Sequence, residues 1–147
     1  MLKKMVLAFG ALVLSTSAFA DCSVSIKVGD SLAYDTDAIE VPASCDEVTV
    51  TIEHTGTLPA QAMGHNWVRA ADTDWESVAS AGTASGFEGN FVPAGDDRVI
   101  ASTKLVGGGE SDSVTFSTAG MESGSGYTFF CSFPGHWAVM RGSFKLV

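Results

Sequence analysis

The 147 residues include 17 Asp and Glu against 8 Lys and Arg, a formal net charge of −9 at pH 7. This length suits one domain with a substantial core. Such acidity excludes nucleic-acid binding through phosphate contacts, and the scattered placement of the charges points to solubility.

Residues 1–20 read as a signal peptide. Lys3 and Lys4 precede an apolar stretch from Met5 to Leu14, and Ala18-Phe19-Ala20 fits a cleavage site before Asp21. The apolar stretch is too short for a membrane span. Asp21 is a poor residue before Cys22 for lipoprotein processing, so no membrane anchor is expected. There is no twin-arginine pair, so export should precede folding. The working domain is then 21–147, with the formal charge taken from −9 to −11 by loss of Lys3 and Lys4. It is expected in the periplasm as a monomer.

Along that domain, Val24, Ile26 and Val28 alternate with polar residues, and so do Val48, Val50, Ile52 and His54. The segments Val99 to Val106, Ser113 to Ser117, Tyr127 to Phe133 and Val139 to Val147 continue the series. Period-two patterning predicts half-buried antiparallel strands, and several of them between Gly-rich turns predict an all-β Greek-key sandwich. One segment breaks the rhythm. From Asp72 to Gly82, acidic first-turn residues, a Gly stop and Trp75, Val78 and Ala79 on one face predict a short flap helix. Gly107-Gly108-Gly109 and Gly124-Ser125-Gly126 lack a basic residue or a helix behind them, so they are turns, not phosphate cradles.

The chemistry concentrates in Cys131-Ser132-Phe133-Pro134-Gly135-His136-Trp137-Ala138-Val139-Met140. A turn at Pro134-Gly135 lets one loop present a thiol, an imidazole and a thioether to one point, while His65 comes from a separate strand. Two His, one Cys and a distant Met make the ligand set of a blue-copper electron-transfer site. Gly64 allows its backbone carbonyl close to the metal. Asn66 can tie the two ligand segments together. Cys22 and Cys45 are expected to pair as a disulfide in an exported protein. Their loop of about 24 residues implies roughly 3 kcal/mol in the chain-entropy model. That leaves Cys131 as the odd thiol, and metal coordination gives it a role.

These segments, with Met63-Gly64-His65-Asn66-Trp67-Val68, Arg98-Val99-Ile100-Ala101, Thr103-Lys104-Leu105 and Asp112-Ser113-Val114-Thr115-Phe116, resemble the azurins, bacterial members of the cupredoxin family. The resemblance implies an eight-stranded cupredoxin-like sandwich with a flap helix. It implies one type 1 copper ion held strongly by His65, Cys131 and His136. Met140 and the Gly64 carbonyl would be weak axial contacts, and Asn66 and the Phe133 backbone would support the sulfur. Two positions depart from it: Trp137 stands where azurins usually have a small residue, and Leu32 where a methionine is common. Both bear on partner choice and on tuning of the potential.

The function expected is a single-electron carrier, not an enzyme. It would serve redox proteins such as c-type cytochromes or periplasmic reductases. They would dock at an apolar patch of Leu58, Pro59, Ala62, Phe133, Pro134, Trp137, Ala138 and Val139 around His136. A multicopper enzyme needs more than the three His present, and often a His directly after the Cys, where Ser132 stands here. A copper carrier or buffer is the alternative. His54, on the apolar face of its strand, reads as a satisfied core residue, with a pH-responsive role as the lesser alternative.

Overall fold

The computed structural model describes residues 21–147; the expected signal peptide over residues 1–20 lies outside the described residues. The strands are β1 (Ser23–Gly29), β2 (Ser31–Tyr34), β3 (Ala38–Val41), β4 (Glu47–His54), β5 (Val68–Ala71), β6 (Ala101–Ser102), β7 (Ser111–Ser117), β8 (Tyr127–Phe130) and β9 (Arg141–Leu146). Two short helices interrupt them: α1 (Ala60–Met63) and α2 (Trp75–Gly82), the latter running into a 3₁₀ turn at Thr83–Ser85. One sheet has the order β2-β1-β4-β7 and the other β3-β9-β8-β5-β6.

Alternation produces the core. In β4, Val48, Val50, Ile52 and His54 are buried while the residues between them face outward. Ile26 of β1, Ile39 and Val41 of β3, Phe129 of β8 and Phe144 of β9 meet Val48 and Val50 from the two sheets around Trp67, while Ile52 joins a smaller cluster with Val28 and Val106. In β8, Phe130 points to the other side of its sheet, yet it is buried as well. There α2 covers it, with Val78 and Ala79 packed on Phe130, Val68 and Ala70. A sheet face that would otherwise meet water thus becomes a second apolar layer, each fully buried aliphatic or aromatic side chain contributing ~1.5–3 kcal/mol. The Cys22–Cys45 disulfide ties the start of β1 to the residues leading into β4.

The expected Greek-key sandwich is present, with differences in detail. Among the described residues nine strands are found rather than eight, a count that includes the two-residue β6. The segment from Val99 to Val106 pairs as a strand only at Ala101–Ser102. Not every pairing is antiparallel. β1 runs parallel to β4, from Ser23↔Thr49 to Val28↔His54, and β3 runs parallel to β9. The chain crosses to the second sheet at β3, so β4 returns beside β1 in the same direction. The flap helix begins later than Asp72, at Trp75, and ends at Gly82 as expected, the chain then continuing into the 3₁₀ turn. A Cβ on Gly82 would collide with the Phe91 carbonyl, so this glycine marks a close approach.

One charge enters the core. Arg69 of β5 is fully buried. Its guanidinium carbon lies 4.3 Å from the ring centre of Phe116, 4.6 Å from that of Phe144 and 4.8 Å from that of Tyr127. Nη2 approaches the Met121 sulfur at 3.2 Å, while Nε and Nη1 have no hydrogen-bond acceptor.

Candidate metal centre

β8 ends at Phe130, and the next residue, Cys131, turns its sulfur into a small cluster of Val28, Ile52, Val106 and Met140. The loop that follows folds back through Pro134-Gly135. Gly135 has φ of 82°, which favours a residue without a Cβ. The His136 amide donates to the Phe133 carbonyl at 2.9 Å, the Met140 amide to the His136 carbonyl at 2.8 Å and the Cys131 amide to the Met140 carbonyl at 3.0 Å. These bonds close the loop on itself and bring Cys131, His136 and Met140 to one end of the sandwich.

His65 was expected on a strand. It lies instead three residues before β5, in an isolated bridge with Val106, whose carbonyl and amide pair with it at 3.1 and 2.8 Å. Its Nε2 is 2.9 Å from the Gly29 carbonyl. That bond makes Nε2 the donor and leaves the Nδ1 lone pair free, the usual way an outer partner selects the ligating nitrogen of a histidine.

Nδ1 of His65 is 3.8 Å and Nδ1 of His136 is 3.6 Å from the Cys131 sulfur. All three donor atoms lie within 4.8 Å of one another, and all three residues are buried. Bonds of about 2.0 Å to nitrogen and 2.3 Å to sulfur, spread at about 120°, would separate sulfur from nitrogen by about 3.7 Å. The spacing therefore fits one metal ion in a trigonal arrangement. A thiolate with two imidazoles and a nearby thioether is the donor chemistry of copper in electron transfer.

Burial governs the protonation of these groups. It pushes the Cys131 thiol up to about 11, although hydrogen bonding from the backbone of Asn66 and Phe133 works in the opposite direction. Burial also holds His65 down at about 4, against the opposing bond to Gly29, and lowers His136. Both imidazoles are therefore neutral at pH 7, the form a metal needs, and a metal held by Cys131 would have to displace the thiol proton.

The surroundings of the three donors hold them in place. Asn66 is fully buried; its Oδ1 accepts from the Ser132 amide at 2.8 Å, and its Nδ2 donates to the Ser132 hydroxyl at 2.8 Å and the Asn90 carbonyl at 2.9 Å. The Phe133 ring stacks on His136, with centres 4.5 Å apart and planes 29° from parallel. Gly64 precedes His65 with φ of −69°, so conformational freedom is not its reason. A Cβ there would strike the Ala60 carbonyl, and the missing side chain lets α1 pack against the ligand segment.

Sequence reasoning missed three partners. Asn90, at φ of 55°, accepts from Asn66 and from the Leu105 amide. Asn is among the few residues that tolerate this conformation, so the Gly89-Asn90 step was the available signal. The Gly29 carbonyl and the Tyr34 hydroxyl, which donates to the Asn66 carbonyl at 2.6 Å, left no such mark. His54 is buried with both ring nitrogens engaged: Nε2 with the Met63 carbonyl at 3.0 Å and Nδ1 with the Gly56 amide at 3.1 Å. It stacks on His65 and is a packed core residue. Trp137 is half-buried, its ring centre 6.2 Å from that of Trp75 on α2, so much of it braces the flap. Leu32 and Val139 are exposed and line one shallow groove with Tyr34 and Met140.

Comparison with known proteins agrees with this geometry. Residues 20–147 match the model of the copper binding proteins of the plastocyanin/azurin family. An azurin from Bordetella pertussis is 51% identical over 140 residues, covering 95% of this chain and 91% of that protein. An azurin from Alcaligenes faecalis is 48% identical over 125 residues, 85% of this chain and 98% of the other. A solved azurin (Az-iso2) from Methylomonas sp. strain J superposes with a TM-score of 0.83 at 48% identity, covering 87% of this chain and 99% of its own. A buried Cys-His-His donor set on a cupredoxin sandwich, with relatives of this closeness, places the chain in the plastocyanin/azurin family of copper-binding proteins, as a blue-copper electron carrier.

Proposed function

We propose that Nδ1 of His65, Sγ of Cys131 and Nδ1 of His136 are the three strong donors to the single copper ion, with the Met140 thioether and the Gly64 carbonyl as weak axial contacts. The observation that carries this assignment is the placement of both imidazole Nδ1 atoms 3.6–3.8 Å from one buried sulfur. When bound, copper supplies a one-electron Cu(I)/Cu(II) couple. The protein's part is to hold donors acceptable to both oxidation states in one arrangement. Asn66 does so by bridging to Ser132, and Gly29 by fixing the His65 tautomer.

Electrons enter and leave near His136, in this reading. It lies 6% exposed in a ring of exposed Pro134, Gly135, Ala138 and Val139. Leu58, Pro59 and Ala62, exposed as well, are assigned to the same docking patch, Phe133 and Trp137 are half-buried, and none of these side chains is charged. Small, weak, largely apolar contacts suit transient redox encounters. The partners are redox proteins such as c-type cytochromes or periplasmic reductases, met by a monomer in the periplasm after residues 1–20 are removed. The Cys22–Cys45 disulfide supports an oxidising compartment. Deep burial of the thiolate donor supports electron carriage over delivery of copper, which needs release.

Adding Cu(II) to the metal-free protein tests the ligand assignment. An intense visible thiolate-to-copper band is expected, and Cys131→Ser should abolish it while the far-UV spectrum stays that of a folded sandwich. A serine variant that remains intensely blue would remove Cys131 from the ligand set.

A further inference from the structure

Arg69 is a buried charge to which nothing above assigns a role. We infer that it tunes the copper couple electrostatically, its caged cation favouring Cu(I) over Cu(II). The inference rests on the copper assignment proposed above. Its structural basis is a positive charge in the same sandwich core, uncompensated by any carboxylate. Among the described residues the one ion pair is Arg98 with Asp96, on the surface. What surrounds the Arg69 guanidinium is three aromatic rings and a thioether. Ring faces stabilise a cation without carrying a net negative charge. The field of Arg69 is therefore not cancelled locally, as it would be by a carboxylate in contact. Burial lowers its pKa only to about 10, so it keeps its proton at pH 7.

The sign follows from charge counting. One electron from a redox partner converts Cu(II) to Cu(I), with no bond made or broken and no proton moved. The copper–thiolate unit falls from +1 to zero. A nearby positive charge repels the oxidised unit and leaves the reduced one unaffected, so it favours reduction. The distance is short enough to matter. Arg69 pairs in register with Phe129, two residues before Cys131 on the same path. Its guanidinium lies over Tyr127, whose Cα is about 13 Å from that of Cys131 at the rise of a strand. Taking that backbone separation as the scale of the distance from charge to site, with an effective dielectric constant of about 20, a unit charge shifts the Cu(I)/Cu(II) ratio roughly three- to tenfold. Solvent ions do not reach the core, so the effect should resist salt.

Arg69→Met and Arg69→Gln both remove the charge while filling the space differently. The Cu(I)/Cu(II) ratio would be measured against a redox mediator at fixed poise and pH. Both variants are expected to show a three- to tenfold lower ratio, at low and at high salt alike, with the blue band unmoved. Exposed Lys145→Gln serves as a control whose smaller shift should vanish in high salt. An unchanged ratio in blue, folded Arg69 variants would overturn the inference and leave the copper assignment standing. So would a shift seen in one variant only, since that would follow packing and not charge. Carbon-13 NMR of the metal-free wild-type protein gives a readout independent of the variants' folding. The Arg69 Cζ resonance should be that of a guanidinium cation at pH 7, and a neutral guanidine there would overturn the inference. Absence of any blue band in the wild-type protein would instead remove the copper assignment itself.

Discussion

Asn66 and Ser132, each the next residue after a candidate copper ligand, exchange two hydrogen bonds of 2.8 Å through the side chain of one and the backbone and hydroxyl of the other. The two ligand segments are 66 residues apart in sequence, and this contact sets their spacing. Replacing Asn66 by Leu would leave the Ser132 amide without an acceptor inside the protein. At ~1–3 kcal/mol for each buried group left unsatisfied, a loss of about 2–4 kcal/mol is expected. Ser132→Ala removes only the hydroxyl, keeps the amide bond and should cost about 1 kcal/mol. Urea unfolding of the metal-free proteins checks the order. A Ser132→Ala cost equal to that of Asn66→Leu would show that the backbone bond contributes little.

Met140 is 1% exposed, in the cluster that holds the Cys131 sulfur. As a weak axial donor it should tune the site and not build it. Met140→Leu, close in volume, should keep the blue colour and raise the reduction potential, because losing a donor favours Cu(I). Met140→Gln brings a harder oxygen donor and should lower it. Voltammetry giving the reverse order would remove Met140 from the axial position.

The disulfide should matter for stability and not for colour. Cys22 and Cys45 lie at the entry to β1 and before β4, away from the cluster around Cys131. Changing both to Ala is expected to cost about 2–5 kcal/mol, with the copper spectrum of the folded fraction unchanged. A thiol assay on the unfolded, metal-free protein should count a single thiol, that of Cys131.

The metal-free protein should lose stability in mild acid. His65 has its folded pKa lowered to about 4, and His136 is lowered in the same direction. A histidine depressed by folding stays neutral in the native state while the unfolded chain takes up a proton near pH 6.5. Protonation then favours unfolding, so stability is full above pH 6.5 and declines as pH falls toward 4. Copper bound to Nδ1 competes with the proton and should move the decline to lower pH. Denaturation midpoints at pH 7, 6, 5 and 4, with and without copper, check this. A flat metal-free profile would mean that the two imidazoles titrate normally.

The fold and the grouping of His65, Cys131 and His136 were legible in the sequence for different reasons. The strands showed because β4 and β9 bury every second residue, and the candidate site because Cys131, His136 and Met140 crowd into one loop. What stayed hidden depends on tertiary contact. The bond from His65 to the Gly29 carbonyl spans 36 residues and uses a backbone atom that any residue would supply. The parallel pairing of β1 with β4 follows from a crossover between sheets, while each strand alone reads the same in either direction. Val99 to Val106 alternates well but forms a strand over two residues only, with Val106 in an isolated bridge to His65, because side chains interrupt the ladder between them: Asp112 takes the Lys104 amide and Asn90 Oδ1 the Leu105 amide. The edge contact of Trp137 with Trp75 of α2 joins residues 62 apart in sequence and left no local mark, while half of Trp137 stays open on the surface beside His136.

The burial that raises the Cys131 thiol to about 11 also shields the chain from its own chemistry. At pH 7 only about one thiol in 10⁴ would be ionised, and disulfide exchange proceeds through the thiolate. Once the sandwich has closed, Cys131 is a poor nucleophile toward the Cys22–Cys45 bond and toward other molecules. Burial also hinders access by oxidants, which react with an accessible, ionised sulfur. In the metal-free protein, then, the odd cysteine of a disulfide-bonded chain is kept inert and reduced by its apolar cluster, and on the proposed ligand assignment the ion itself would supply the drive to ionise it.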